Sequence, residues 1–141
     1  MTSIIKSHLF FMAVALLPAA HAMADWTAIG EAGGANSNDY VAYVDIDSAM
    51  KTETTGKIWA INDFKTAKSV SGKSITSTKT HFEYQCDDKK KRTLEFSWHA
   101  EKMGGGEVVM QKKEADNWKD FFADGLDDKR QEIACGKATK S

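Results

Sequence analysis

The chain has 141 residues, with 19 basic and 20 acidic side chains and a formal net charge of −1. That length suits one domain, and the near balance of charge gives no global reason to expect nucleic acid as a partner. Two cysteines and a single proline, Pro18, complete the compositional constraints.

Residues 1–24 read as a cleaved signal peptide. Lys6 supplies the positive start, residues 9–17 form an apolar run that Pro18 ends, and Ala20-His21-Ala22 or Ala22-Met23-Ala24 fits the cleavage site. The run is too short to span a bilayer, and no later stretch is apolar enough to do so. The mature domain is therefore expected over residues 25–141, exported to the periplasm, the cell surface or the medium. No cysteine follows the cleavage site to accept a lipid anchor. In an exported chain two cysteines imply one disulfide, Cys86–Cys135, against the alternative of two buried thiols.

In chain order, residues 25–29 read as a first strand anchored by Trp26, and 31–39 as a turn-rich loop. Residues 40–45 are β-branched and aromatic, a second strand. Residues 45–50 predict a single helical turn capped by an aspartate. Residues 57–64 carry large side chains on both parities and predict a central strand, followed by a polar loop over 66–73.

The segment 77–86 alternates most clearly: Thr80, Phe82, Tyr84 and Cys86 share one side, and Lys79, His81, Glu83 and Gln85 the other. Residues 92–99 alternate likewise with Leu94, Phe96 and Trp98. A hairpin closed by 87–91 predicts Tyr84 opposite Leu94, Phe82 opposite Phe96 and Thr80 opposite Trp98. It also opposes Glu83 to Glu95. Residues 102–106 predict a flexible glycine turn, and 107–110 a short strand. Residues 116–122 carry Trp118, Phe121 and Phe122 to cover one end of the core. Residues 127–135 predict a helix started by Asp124 or Asp127 and ended at Gly136, with Leu126, Ile133 and Ala134 as its apolar stripe. Cys86 has the parity of Phe82 and Tyr84, so a bond to Cys135 pins this helix to the apolar face of the sheet. The tail, 137–141, is expected to fray.

Chemistry is sparse. His81, Glu83, Glu95 and His99 match zinc by residue type, but their spacing is no metal motif and an exposed strand face commonly carries such residues. No metal and no cofactor is assigned. Met103-Gly104-Gly105-Gly106 lacks the Lys-Ser/Thr ending of a phosphate loop. No nucleophile–base set stands out and the mature chain has two histidines, so catalysis is not expected. Lys89, Lys90, Lys91 and Arg92, at a hairpin tip, read as a solvated turn or as a basic patch for acidic surfaces.

The ordered set of punctuating residues resembles the surface-adhesin protein E family. It comprises Trp26, Tyr43-Val44-Asp45 with Ser48, Ile58-Trp59-Ala60-Ile61-Asn62-Asp63-Phe64, Ser77 before Cys86, Arg92, Met103-Gly104-Gly105-Gly106-Glu107-Val108-Val109, Trp118 and Cys135. The resemblance covers nearly all of the mature chain. It implies an α+β domain: one antiparallel sheet of about six strands with a C-terminal helix held to its concave face by the disulfide. It further implies an adhesin that binds host extracellular-matrix proteins or another protein or polyanionic ligand. Where the family's basic binding pair stands, this chain matches with Lys73 and has Gly72 beside it. A periplasmic envelope protein without host ligand is the alternative, and a homodimer is left open.

Overall fold

A computed structural model describes residues 24–33 and 39–136. The expected leader, apart from Ala24, and the tail 137–141 lie outside the described residues. Six strands follow one another across a single antiparallel sheet in chain order. They are β1 (Trp26–Ala32), β2 (Tyr40–Lys51), β3 (Thr55–Val70), β4 (Lys73–Gln85), β5 (Lys90–His99) and β6 (Val108–Lys112). A two-residue strand, β7 (Lys119–Asp120), pairs with the start of β5, and the chain ends in α1 (Leu126–Ala134). The expected class, with one helix packed on one sheet face, is the observed one.

The core is the helix face of the central strands. Val44, Ile58, Ala60, Tyr84, Phe121 and Ala134 are buried together, with Ile29, Ala49, Phe82 and Ile133 packed against them. Large residues on both parities of β3 reflect a strand covered on both sides. On the reverse face Trp26, Asp45, Trp59, His81 and Glu95 lie in one cross-strand row. There Trp59 and His81 stack with ring centroids 4.5 Å apart.

Several local expectations fail, and the reasons are physical. Residues 45–50 form no helical turn; they continue β2 through a bulge. The short-range bonds that suggested a cap exist: the Asp47 amide donates to Asp45 Oδ1 at 3.1 Å, and Ser48 Oγ donates to the Asp45 carbonyl at 2.6 Å. They complete a strand, because Ser48 Oγ also accepts from the Trp59 amide of β3 at 2.9 Å. A side chain thus replaces a carbonyl in the ladder.

Residues 66–73 are not a loop. Val70 pairs with Lys73 across the two-residue turn Ser71-Gly72, with φ values of 51° and 76°. Both left-handed residues match the twist of the flanking strands. The polar composition marks exposed strand ends. At the other end of the chain's first hairpin, β1 likewise runs beyond residue 29, to Ala32.

The β4–β5 hairpin keeps the expected faces at Phe96 and Trp98, but its register differs and the faces exchange beyond Leu94. Thr80 faces Phe96, and Leu94 is the extra residue of a bulge after which Phe82 faces Thr93 and Glu83 faces Arg92. The predicted register set Glu83 against Glu95. The observed one gives Glu83, buried, an ion pair with Arg92 Nε at 2.6 Å. Removing like charges from direct opposition and pairing a buried carboxylate outweigh regular alternation.

The glycine segment is docked rather than free. A 3-10 turn over Lys102–Gly104 lies against β3 and β4. Its Met103 amide donates to Asp63 Oδ1 at 2.8 Å and its Gly104 amide to Ser77 Oγ at 2.8 Å, while Lys102 Nζ donates to the Phe64 carbonyl.

The disulfide Cys86–Cys135 is present, with Cα atoms 5.7 Å apart. It does not hold α1 alone. The buried side of the helix is Arg130, Gln131 and Ala134, more polar than the expected stripe. Gln131 donates to the carbonyls of Gln85 and Asp88, and Tyr84 donates from its hydroxyl to Asp127 Oδ1 at 2.7 Å. Gly125, without a side-chain cap, stands at the helix start in place of the expected aspartates. Gly136 ends the helix as expected, with φ 71°.

Candidate functional site

The helix packs across β1 to β4 and leaves the far part of the same face open. Phe64, Lys68 and Val70 of β3, Ile75, Thr78 and Thr80 of β4, and Phe96 and Trp98 of β5 line that area. Ile75 joins Thr78 there beside the register shift between Asp63 and Lys68, and Phe64 and Ile75 are themselves buried. Two adjoining hollows of about 220 and 210 Å3 share Thr78 and Trp98 and form a continuous groove. Phe96 and Trp98 stack at 5.8 Å within it. Beyond β5, Met110 of β6 is paired with Trp98 and is 47% exposed. β6 is the terminal strand of the sheet path, so its outer backbone groups face outward.

Lysines rim the groove. Lys68 Nζ lies 4.0 Å from the Phe64 ring centroid. Lys73 faces Val70 and so points to the same side, with Glu107 at 3.5 Å. Lys112 faces Phe96 and pairs with Asp116 at 2.8 Å. An apolar, aromatic floor with three lysines at its edges suits a ligand that has an apolar stripe and acidic flanks.

Of the charged residues singled out in the sequence, none lines the two hollows; Lys73 stands beside Val70 at one end. Lys89, Lys90, Lys91 and Arg92 sit together at the other end of β4, where β5 begins, and each meets a carboxylate. Lys89 pairs with Asp128 at 2.6 Å, Lys90 with Asp120 at 2.7 Å, Lys91 with Asp127 at 2.6 Å and Arg92 with Glu83 at 2.6 Å. Two of these partners, Asp127 and Asp128, are in the first turn of α1 and Asp120 is in β7, so this run braces the start of the helix. Burial opposes ionisation of Asp127, but hydrogen bonds from Lys91 and Tyr84 hold its carboxyl below the usual range. Burial pushes the Tyr84 hydroxyl well above its own. Lys68 and Lys112 carry no local sequence signal; only strand pairing sets them beside Phe64 and Phe96. Among the described residues no group of three or more His, Cys, Asp or Glu side chains could hold a metal ion. No helix among them is long and apolar enough to cross a membrane.

Fold and groove define a single-sheet, disulfide-tethered domain whose open sheet face offers a surface for a macromolecular ligand. The sequence from 26 to 136 matches the family model of surface-adhesin protein E, and the chain belongs to that family. The fold is similar to solved structures of Haemophilus influenzae protein E. The selenomethionine form aligns with TM-score 0.53 and 12% identity, covering 78% of this chain and 95% of that one. Crystal form II aligns with TM-score 0.54 and 13% identity, covering 81% and 99%. No curated protein sequence matches the chain.

Proposed function

We propose that this protein is an exported, non-enzymatic adhesin-like binding domain whose ligand is a protein, with host extracellular-matrix proteins as the first class to test. Export through a leader cleaved after Ala24 places it in the periplasm or at the cell surface. The observation that carries the reading is the groove beyond the helix, where Phe96 and Trp98 of β5 are only half-buried beside buried Phe64 and Ile75, with Lys68 in its lining and the outer strand β6 next to it. Membership of a surface-adhesin family supports it. The groove favours a protein ligand over a simple polyanion because its floor is apolar. Lys73 supplies the electrostatic part of recognition at the groove, and Lys89, Lys90, Lys91 and Arg92 are a second candidate patch.

The experiment combines surface labelling of intact cells with binding to immobilised matrix proteins. The mature species lacks residues 1–24 by intact mass and is labelled from outside. Trp98→Ser lowers affinity by about tenfold or more, as loss of a central aromatic anchor does. Neutralising Lys73 weakens binding and flattens its salt dependence. Retention of Met1, exclusion from the surface label, or affinity unchanged in the Trp98 variant overturns the reading.

A further inference from the structure

A second concavity lies at the N-terminal end of α1. It is a cleft of about 580 Å3 between that end of the helix, the segment after β7, and the sheet. Tyr40, Phe82, Phe121, Phe122, Leu126 and Arg130 are among the residues that line it. Phe122 is 95% exposed at the mouth, while Arg130 is only 4% exposed.

The carboxylates lining the cleft are already well paired: Glu31 with Lys65 at 2.8 Å, Asp120 with Lys90 at 2.7 Å, and Asp127 with Lys91 at 2.6 Å. Arg130 is not. Its Nη2 donates to the neutral Asn62 Oδ1 at 2.9 Å, its Nη1 reaches Asp127 only at 3.4 Å, and its Nε meets no acceptor. A guanidinium carries five donors, and burying its charge with weak compensation is costly. The helix adds a second source of positive potential. Gly125 provides no side-chain cap, and Gly125, Leu126 and Asp127 line the same cleft, so the positive end of the helix dipole lies beside it, with Asp127 and Asp128 as the acidic residues of that first turn.

We propose that this cleft binds a carboxylate carried on an apolar body. The acid is received by the Arg130 guanidinium and the first-turn amides of α1, and the apolar body lies among Tyr40, Phe121 and Phe122. The volume is in the range of small-ligand sites. A free alkyl acid and the C-terminal residue of a peptide chain share this chemistry. The cleft adjoins the groove through Phe82, which lines both, but the groups that receive the acid, Arg130 and the first turn of α1, lie outside the groove's lining.

The test is NMR titration of the isotope-labelled mature protein with four probes. These are decanoate, decanamide, the peptide acetyl-Ala-Ala-Phe with a free carboxylate, and the same peptide as its C-terminal amide. The readouts are the backbone amides of Leu126 and Asp127 and the Nε–H of Arg130. Saturable shifts of all three with an acid are expected, the amide counterpart binding about tenfold more weakly for loss of the charge-assisted hydrogen bonds. A response to decanoate alone assigns a free amphiphile, and a response to the peptide alone assigns a chain end. Phe122→Ser, an exposed position, leaves the fold intact and weakens the acid severalfold, and Arg130→Lys weakens it while retaining the charge. The proposal is overturned if neither acid shifts these signals, if the amides bind as tightly as the acids, or if Phe122→Ser leaves affinity unchanged.

Discussion

Ser77 is sealed from solvent, and its hydroxyl works twice: it donates to the Glu101 carbonyl at 2.6 Å and accepts from the Gly104 amide at 2.8 Å. Ser77→Ala strands both partners, so a loss of about 1–3 kcal/mol is expected in chemical unfolding. Amide exchange at Gly104 should accelerate with it; an unchanged midpoint refutes this role. The histidines give a pH dependence. Burial lowers the His81 pKa, partly opposed by Glu95, and burial together with Lys79 lowers that of His99. The unfolded chain therefore takes up protons first, near the ordinary value of 6.5. This part of the stability is fully present above that pH and is lost as pH falls through the depressed folded values. Urea midpoints should drop on acidification below pH 6.5, and replacing both histidines by glutamine should flatten the drop.

At the scale of the element, α1 is docked by close backbone approach and polar side chains more than by an apolar stripe. A Cβ built on Gly56 falls 2.4 Å from the Ala134 carbonyl oxygen, a backbone atom that cannot rotate away. Gly56→Ala should push the helix end off β3 at a cost of about 1–3 kcal/mol, the scale of overpacking. Calorimetry would show it, and a melting point equal to the parent's would contradict it. The buried Arg130 and Gln131 explain why Leu126, Ile133 and Ala134 give an incomplete account of the docking face. A helix crossing the exposed carbonyls of a strand end and the Asp88 loop needs donors there.

For the molecule as a whole, each strand of the main sheet path pairs with its sequence neighbours, and the helix closes the long-range contacts. Lys129 Nζ, for example, donates to the Ile29 carbonyl across 100 residues at 2.9 Å. The disulfide ties a separation of 49 residues, worth roughly 4 kcal/mol in the chain-entropy account. Cys135→Ser should leave the sheet folded and release α1 first. Hydrogen exchange under oxidising and reducing conditions measures this: helix amides should lose protection ahead of those of β3 and β4. Equal protection of the helix amides with and without the bridge would show that the polar contacts suffice.

Period-two alternation in β4 and β5, the aromatic strand β3, the two cysteines and the helix bounded by Gly136 determined the architecture from sequence alone. Each is a local pattern whose burial has one economical solution. Tertiary structure decided what depended on partners far along the chain. The bulge at Leu94 answers to Glu83 meeting Arg92, and the turn at Ser71-Gly72 forms because β3 and β4 continue to pair beyond their buried parts. Ser48 joins the ladder only because Trp59 lies opposite. The same holds for the sites. Lys73 carried a sequence signal, while Lys68, Lys112 and Arg130 acquire their settings from strand register and from a helix that returns across the sheet. Side-chain alternation fixes which face a residue takes; the pairing of distant strands fixes its neighbours, and with them its charge environment.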